Sequence, residues 1–223
     1  MLLYHYPASP FCRKARLALS ESGYEFSLRL EKTWLPNPDF LRINPAGEVP
    51  VLVTGDDKTI IGHQVICEYL VETLEEQSLI YGPPAQAAEI RRMVAWCDDK
   101  FVREVGRSIL YERMIKRLKS SAVPPDSRAI KAGRTHLDTH LLYFSWLLER
   151  RQWLAATTSI SLADMAAASH ISLLDYLGEI KWDRHKELKL WYYRVKSRRS
   201  FAPLLTETIP GFEPAPTYGT LDF

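Results

Sequence analysis

The periodicity of the chain changes once and does not change back. As far as residue 76, short strand-like runs alternate with helical ones; beyond Gly82-Pro83-Pro84 every apolar pattern is helical. Such a profile fits neither one continuous sheet nor one bundle, and predicts an α/β unit followed by an all-helical unit. At roughly 150 residues per domain as a soft prior, 223 residues are enough for one large or two small domains. The expected division is 1–76 for the α/β domain, 77–86 for the linker, 87–205 for the helical domain and 206–223 for a Pro- and aromatic-containing tail.

Within the first unit, Leu2 to Tyr6 is an apolar and aromatic run ended by Pro7, the pattern of a strand. Ser9-Pro10 then opens a helix, with Ser as N-cap and Pro at the first helical position, and Gly23 stops it. Tyr24 to Leu30 alternates as a strand does, a loop with room for a short helix follows, and 49–53 and 59–61 form a hairpin across Gly55-Asp56-Asp57. A helix runs from His63 to about Glu76. In the second unit Ile90, Val94, Cys97, Phe101, Val105 and Ile109 mark one long amphipathic helix, and Leu137, Leu141, Phe144 and Leu148 a second. Ser161-Leu162-Ala163-Asp164 has the form of a capping box, and a last helix spans 184–197. No regular element is expected beyond Leu205.

The net charge of +2 conceals three blocks. Residues 1–80 carry 7 basic and 11 acidic side chains, residues 81–201 carry 22 and 13, and the last 22 carry 3 acids and no base. The stretch 181–199 alone has 8 basic and 2 acidic residues, either a solvated face or an attraction for an acidic partner. Duplex DNA is not an expected partner, because no recognition motif accompanies a pI of about 8.4. Nor is membrane insertion, since no apolar run approaches the roughly 18 residues needed to span a bilayer. The N-terminus lacks the charged lead and apolar stretch of a signal peptide, and the expected location is cytoplasmic. Three widely spaced cysteines, with no Cys-x-x-Cys pair and no His cluster, argue against a disulfide scaffold and a metal site. Cys12 and Cys97 read as packed small apolar residues; Cys67 is open.

Four local signatures, set in this architecture, resemble the glutathione-transferase family: Ser9-Pro10-Phe11-Cys12-Arg13-Lys14-Ala15-Arg16, Asn44-Pro45-Ala46-Gly47-Glu48-Val49-Pro50-Val51-Leu52, Ile66-Cys67-Glu68-Tyr69-Leu70, and Ser161-Leu162-Ala163-Asp164. The resemblance covers about residues 1–205 and implies a thioredoxin-like α/β N-terminal domain joined to an all-α C-terminal domain. It places Ser9 where the family's thiolate-stabilising hydroxyl stands, at a helix start whose free N–H groups favour an anion. A plain capping role for Ser9 is equally open. Val49-Pro50 matches the cis-proline position at which the family's backbone pairs with the cysteinyl part of glutathione. Gly62-His63, however, occupies the place where relatives carry Glu-Ser, Asp-Ser or Gln-Ser to bind the γ-glutamyl end. Loss of that charge-assisted bond is worth about 1.5–3 kcal/mol, on the order of a tenfold to hundredfold weakening. The residue-level expectation for His63 is a helix-start histidine facing solvent.

Ser9-Pro10-Phe11-Cys12, the replaced Glu-Ser pair, Trp34 in its loop and the ending Leu221-Asp222-Phe223 resemble one branch in particular. These are the FtsZ-localised, glutathione-transferase-like division regulators of alphaproteobacteria. That resemblance implies a homodimer without a cofactor, at the division site, binding FtsZ polymers through a surface that includes Trp34, Asp222 and Phe223. The alternative is a glutathione transferase in which Ser9 activates glutathione, held by Val49, Pro50, Gly62 and His63, for attack on a small electrophile.

Overall fold

The computed structural model of the chain describes residues 1–74, 78–120 and 122–221. Four strands, β1 (Leu2–His5), β2 (Ser27–Leu30), β3 (Val51–Val53) and β4 (Thr59–Ile61), form a sheet of order β2-β1-β3-β4. β1 and β2 are parallel, with Leu3 opposite Leu28, and helix α1 (Pro10–Glu21) makes the crossover that parallel neighbours require. β3 lies antiparallel to β1 and to β4, the hairpin closing through Thr54 N–H to the Lys58 carbonyl at 2.9 Å. Short helix α2 (Pro38–Ile43) precedes β3, and α3 (His63–Thr73) follows β4. This is the expected thioredoxin-like unit; α3 ends at Thr73, and residues 75–76 of the expected helix lie outside the described residues.

Local chemistry accounts for α1. Ser9 is extended and its Oγ accepts from the Cys12 N–H at 3.2 Å, Pro10 supplies the first helical residue, and Gly23, at φ +73°, ends the turn that follows. Ala15, Ala18 and Leu19 of α1, Leu3 and Leu52 of the central strands, and Ile66 and Leu70 of α3 share one core. Edge strand β2 departs from the alternating expectation: all four of its residues are exposed.

The second unit begins with α4, one helical rod over residues 84–119. It is α-helical over Pro84–Ala95 and Lys116–Lys119 and wound as a π-helix over Trp96–Ile115. Its buried residues Cys97, Phe101, Val105 and Ile109 step by four, wider than the 3.6 of an α-helix. Helix α5 (Ser127–Leu148) packs along it, so closely at Gly133 that a Cβ there would lie 2.7 Å from Ser108 Cβ. Helix α6 (Leu162–Tyr176) is buried on every side; its Ala and Ser residues let α1 and α4 pack around it. The predicted capping box is present. Asp164 accepts from the N–H and Oγ of Ser161 at 3.1 and 2.9 Å, from the Leu154 N–H at 3.0 Å, and from Trp191 Nε1 at 2.9 Å, which ties α6 to α7 (Lys186–Lys196). Helix α8 (Ala202–Thr206) closes the unit, and beyond it, among the described residues, only an isolated bridge, Ile209 with Phe212, is regular. No helix among the described residues is long and apolar enough to cross a membrane.

Candidate functional site

The start of α1 opens onto a cleft of about 260 Å³ lined by Tyr6, Ser9, Phe11, Thr33, Trp34, Glu48, Val49, Ile115 and Lys119. Three predicted residues, Ser9, Trp34 and Val49, therefore meet in one place. Trp34 is half-buried, edge-on to Tyr6 with ring centroids 4.7 Å apart, so the loop after β2 forms a wall of the cleft. Ser9 performs its cap, as the bond to Cys12 N–H shows. A hydroxyl that accepts this bond keeps its own proton free to donate, so capping and thiolate binding are compatible at Ser9. The Val49-Pro50 bond is cis, and among the described residues the Val49 N–H and carbonyl have no hydrogen-bond partner. This end of the cleft offers a hydroxyl and an unpaired peptide group to an entering molecule.

The other end does not. Gly62 caps α3 without a side-chain bond and sits at φ +93°, a conformation in which any side chain is strained. His63 does not face solvent: it is half-buried, stacks on Phe11 with centroids 4.2 Å apart, and its Nδ1 lies 2.8 Å from Lys14 Nζ. The solvent-facing expectation failed because the partner comes from α1, across the interface between the two helices. Lys14 is fully buried and also donates to Asp98 of α4, whose second oxygen lies 3.3 Å from His170 Nε2 of α6. Burial, then the Lys14 charge, pushes His63 down to about 4, so it is neutral at pH 7 and accepts from the ammonium. Burial alone would raise Asp98; its hydrogen bond to His170 and the charge of Lys14 outweigh that and hold it at about 2. The position at which the resemblance implies an acidic residue is thus glycine, and the residue after it is an inward-turned, already bonded imidazole.

Sequence reasoning missed the other cations of α1. Arg13 is fully buried, donating from Nε to the Pro7 carbonyl at 3.0 Å and from Nη1 to Ser172 Oγ and Tyr218 Oη at 2.8 and 2.9 Å. Arg16 pairs with both oxygens of Glu207 at 2.8 Å. Only one sequence signal pointed to them: three cations on a core-packed helix with no acid one turn away in either direction. The basic run 181–199 is likewise not simply a solvated face. Lys196 is buried 3.8 Å from Asp175, Arg198 holds Glu21 at 2.6 and 2.7 Å, and Arg194 donates to the Gln152 carbonyl at 2.7 Å.

The tail docks. Ile209 and Tyr218 are buried and pack, with half-buried Phe212, among Tyr6, Ala8, Leu110, Met114, Leu173 and Tyr176 in the apolar space between the sheet unit and the helices. That space is where the enzyme alternative would lodge its electrophile. Leu221 is exposed, and Asp222 and Phe223 lie outside the described residues. All three cysteines are buried; desolvation pushes Cys12 and Cys67 up to about 11 and Cys97 well above its ordinary value. None is poised as a nucleophile.

A model of the glutathione S-transferase N-terminal domain matches residues 3–78. FtsZ-localized protein A of Caulobacter vibrioides is 41% identical over 224 residues, covering 99% of this chain and 97% of that protein. Among solved structures, a glutathione S-transferase from Rhodospirillum rubrum F11 superposes with a TM-score of 0.96 at 50% identity, over 100% of this chain and 99% of that one. FzlA from C. crescentus superposes with a TM-score of 0.95 at 41% identity, over the same shares.

Proposed function

The chain belongs to the glutathione S-transferase family, and from that premise we propose that it is a non-catalytic binding protein for FtsZ polymers, working at the bacterial division site. The observation that carries the proposal is the inward-turned His63, held by buried Lys14 beside Asp98 at the γ-glutamyl end of the site. A glutathione molecule entering the cleft would find Ser9 and the Val49 backbone but no carboxylate at Gly62-His63 for its ammonium. The tail residues Ile209 and Phe212, packed in the interdomain apolar space, also leave less room for an electrophile. Likeness to a protein named for its localisation with FtsZ supports the choice of partner. In this reading the Trp34 loop and the terminal Asp222 and Phe223 contribute to the filament-binding surface.

The protein acts as a homodimer in this proposal. Support comes from the exposed apolar residues Ile61 and Val65 beside Tyr69, on β4 and α3 at the free edge of the sheet. Sedimentation velocity at micromolar concentration is expected to give twice the 25.7 kDa chain mass.

Co-sedimentation with GTP-assembled FtsZ, run beside calorimetry with glutathione, tests the function. The expected result is polymer binding that Trp34→Ala and Asp222→Lys each weaken, with glutathione affinity weaker than about 1 mM, roughly −4 kcal/mol. Glutathione binding at or tighter than about 1 mM, with turnover abolished in Ser9→Ala, would overturn the proposal in favour of the transferase. Absence of the protein from the polymer pellet would remove the FtsZ assignment.

A further inference from the structure

We infer that the loop after β2 carries a second binding site, next to the Ser9 cleft, which takes a basic side chain of a protein partner onto the buried carboxylate of Glu31. The site is a cleft of about 330 Å³ between this loop and α2. Glu31 and Phe40 are the buried residues of its lining, with Trp34, Leu35, Leu41 and Gly47 around them. Trp34 lines this cleft and the Ser9 cleft alike, so the loop is the partition between the two.

Glu31 is 6% exposed and firmly held. Its N–H donates to the His5 carbonyl at 2.9 Å, and its Oε2 accepts from Asn37 Nδ2 at 2.8 Å. Asn37 is fixed in turn, because its Oδ1 caps α2 through the Phe40 N–H at 3.3 Å. Glu31 Oε1 has no hydrogen-bond partner among the described residues, and no cation among them pairs with the carboxylate. Arg29, two residues back on β2, donates instead to Tyr4 Oη at 3.0 Å and lies over that ring. Two other buried acids are better provided. Asp164 accepts four bonds, and Asp175 accepts from Trp182 Nε1 at 2.8 Å with Lys196 Nζ 3.8 Å away. A buried carboxylate that receives one bond, from a neutral amide, is costly to keep ionised and favours a cation that can enter beside it.

The walls select the kind of cation. A hard metal ion takes several oxygen ligands, whereas this carboxylate is flanked by indole, phenyl and leucine side chains. An organic cation on an apolar stem matches better, its charged end on Glu31, its methylenes along the leucines, and Trp34 offering a ring that attracts cations. Leu35 and Leu41 are 53% and 42% exposed, so the apolar lining continues onto the outer surface, where a macromolecular partner can cover it. Residues 1–80, with 7 basic and 11 acidic side chains, draw basic groups toward this face. Arginine suits the site better than lysine, because its planar fork bonds a carboxylate at two points and stacks on aromatic rings.

The test is an NMR titration of the ¹⁵N-labelled full chain with the capped peptide acetyl-Leu-Arg-Leu-amide, beside the same peptide with neutral citrulline in place of arginine. Expected are saturable shifts of the Trp34 indole and of the amides of the loop and α2, with a Kd on the order of 1 mM or tighter. The citrulline peptide should bind at least about tenfold more weakly, and so should the arginine peptide to Glu31→Gln. Glu31→Gln keeps an acceptor for Asn37 and removes an unpaired buried charge, so its thermal midpoint should equal or exceed that of the wild type. A lower midpoint would mean that the fold itself compensates the charge, and would overturn the inference. Equal shifts with the citrulline peptide, which report apolar contact alone, would overturn it too, as would the absence of saturable shifts. The citrulline comparison uses the wild type and decides the matter even where the Gln variant does not fold. No arm contains FtsZ, so each outcome leaves the filament reading where it stood.

Discussion

Asp98→Ala is expected to be among the most damaging single changes outside the apolar core. The Lys14 side chain is fully buried and that of Asp98 is 9% exposed. Truncating the acid strands an ammonium in the interface between α1, α3, α4 and α6, with the neutral His63 Nδ1 its one remaining side-chain acceptor among the described residues. Breaking one partner of a buried pair costs about 3–5 kcal/mol. At roughly 2–4 °C per kcal/mol for a chain of this length, the midpoint should fall by about 6–20 °C. Thermal unfolding followed by circular dichroism at pH 7 measures this, with Lys14→Met and Lys14→Met/Asp98→Leu completing a cycle. The double variant should recover most of the loss, because a well-packed apolar pair replaces a buried ion pair at little net change. The acid limb gives a second reading. The carboxyl titrates at about 2 in the folded chain against about 3.9 unfolded, so the pair's contribution is full above pH 4 and disappears as pH falls through 2. An Asp98→Ala cost below about 1 kcal/mol, the value of an exposed pair, would refute the reasoning, as would a double variant that merely sums the two single losses.

His5 and His63 are both held at about 4, mainly by burial and secondarily by the charges of Arg16 and Lys14 respectively. Both ionise near 6.5 when unfolded, so stability should be full above pH 6.5 and decline as pH falls toward 4; denaturation midpoints at pH 7, 5.5 and 4.5 should show it, and His63→Gln should flatten the slope. A thiol reagent at pH 7.5 should label none of Cys12, Cys67 and Cys97 in the folded chain and all three in guanidinium, since each is buried and protonated. Asp164→Ala removes the acceptor of four bonds around α6 and α7 and should lower stability by about 3 kcal/mol or more in urea titration; Asp164→Asn, which keeps one oxygen, should recover part of it.

What was legible in the sequence was whatever is determined within one turn. The Ser9-Pro10 helix start, the hairpin at residues 55–57 and the Ser161–Asp164 capping box are set by neighbours three or four residues apart, and each stands where its pattern put it. The charged interior was not legible, for the complementary reason. Arg13 meets Tyr218 across 205 residues, Arg16 meets Glu207 across 191, Lys14 meets Asp98 across 84 and His63 across 49. Helical periodicity tells which face of α1 is apolar; it carries no information about which distant carboxylate makes a buried cation affordable. The tail shows both limits at once. Its prolines correctly predicted the lack of regular structure, while its fixed position depends on side chains of α1, α6 and α7 that no local pattern identifies.

Gly62 and Ser9 carry opposite weight in deciding between enzyme and binding protein. The backbone at Gly62, at φ +93°, is one that glycine adopts freely and that strains any other residue by about 1–2 kcal/mol. The acidic residue implied for relatives at that position would therefore have to be held against its backbone preference, and the ligand contact it makes is what offsets the strain. A chain with no use for that contact gains by relaxing the position to glycine, and the neighbouring His63 is then free to turn inward onto Lys14. Ser9 supports no such inference about activity. Its cap on the Cys12 N–H would by itself hold serine there in a protein that never met a thiol, worth about 1 kcal/mol to a helix on which both units of the fold depend. The residue that most resembles a catalytic group is explained by stability alone, whereas the glycine beside His63 is what the proposed non-catalytic role would leave.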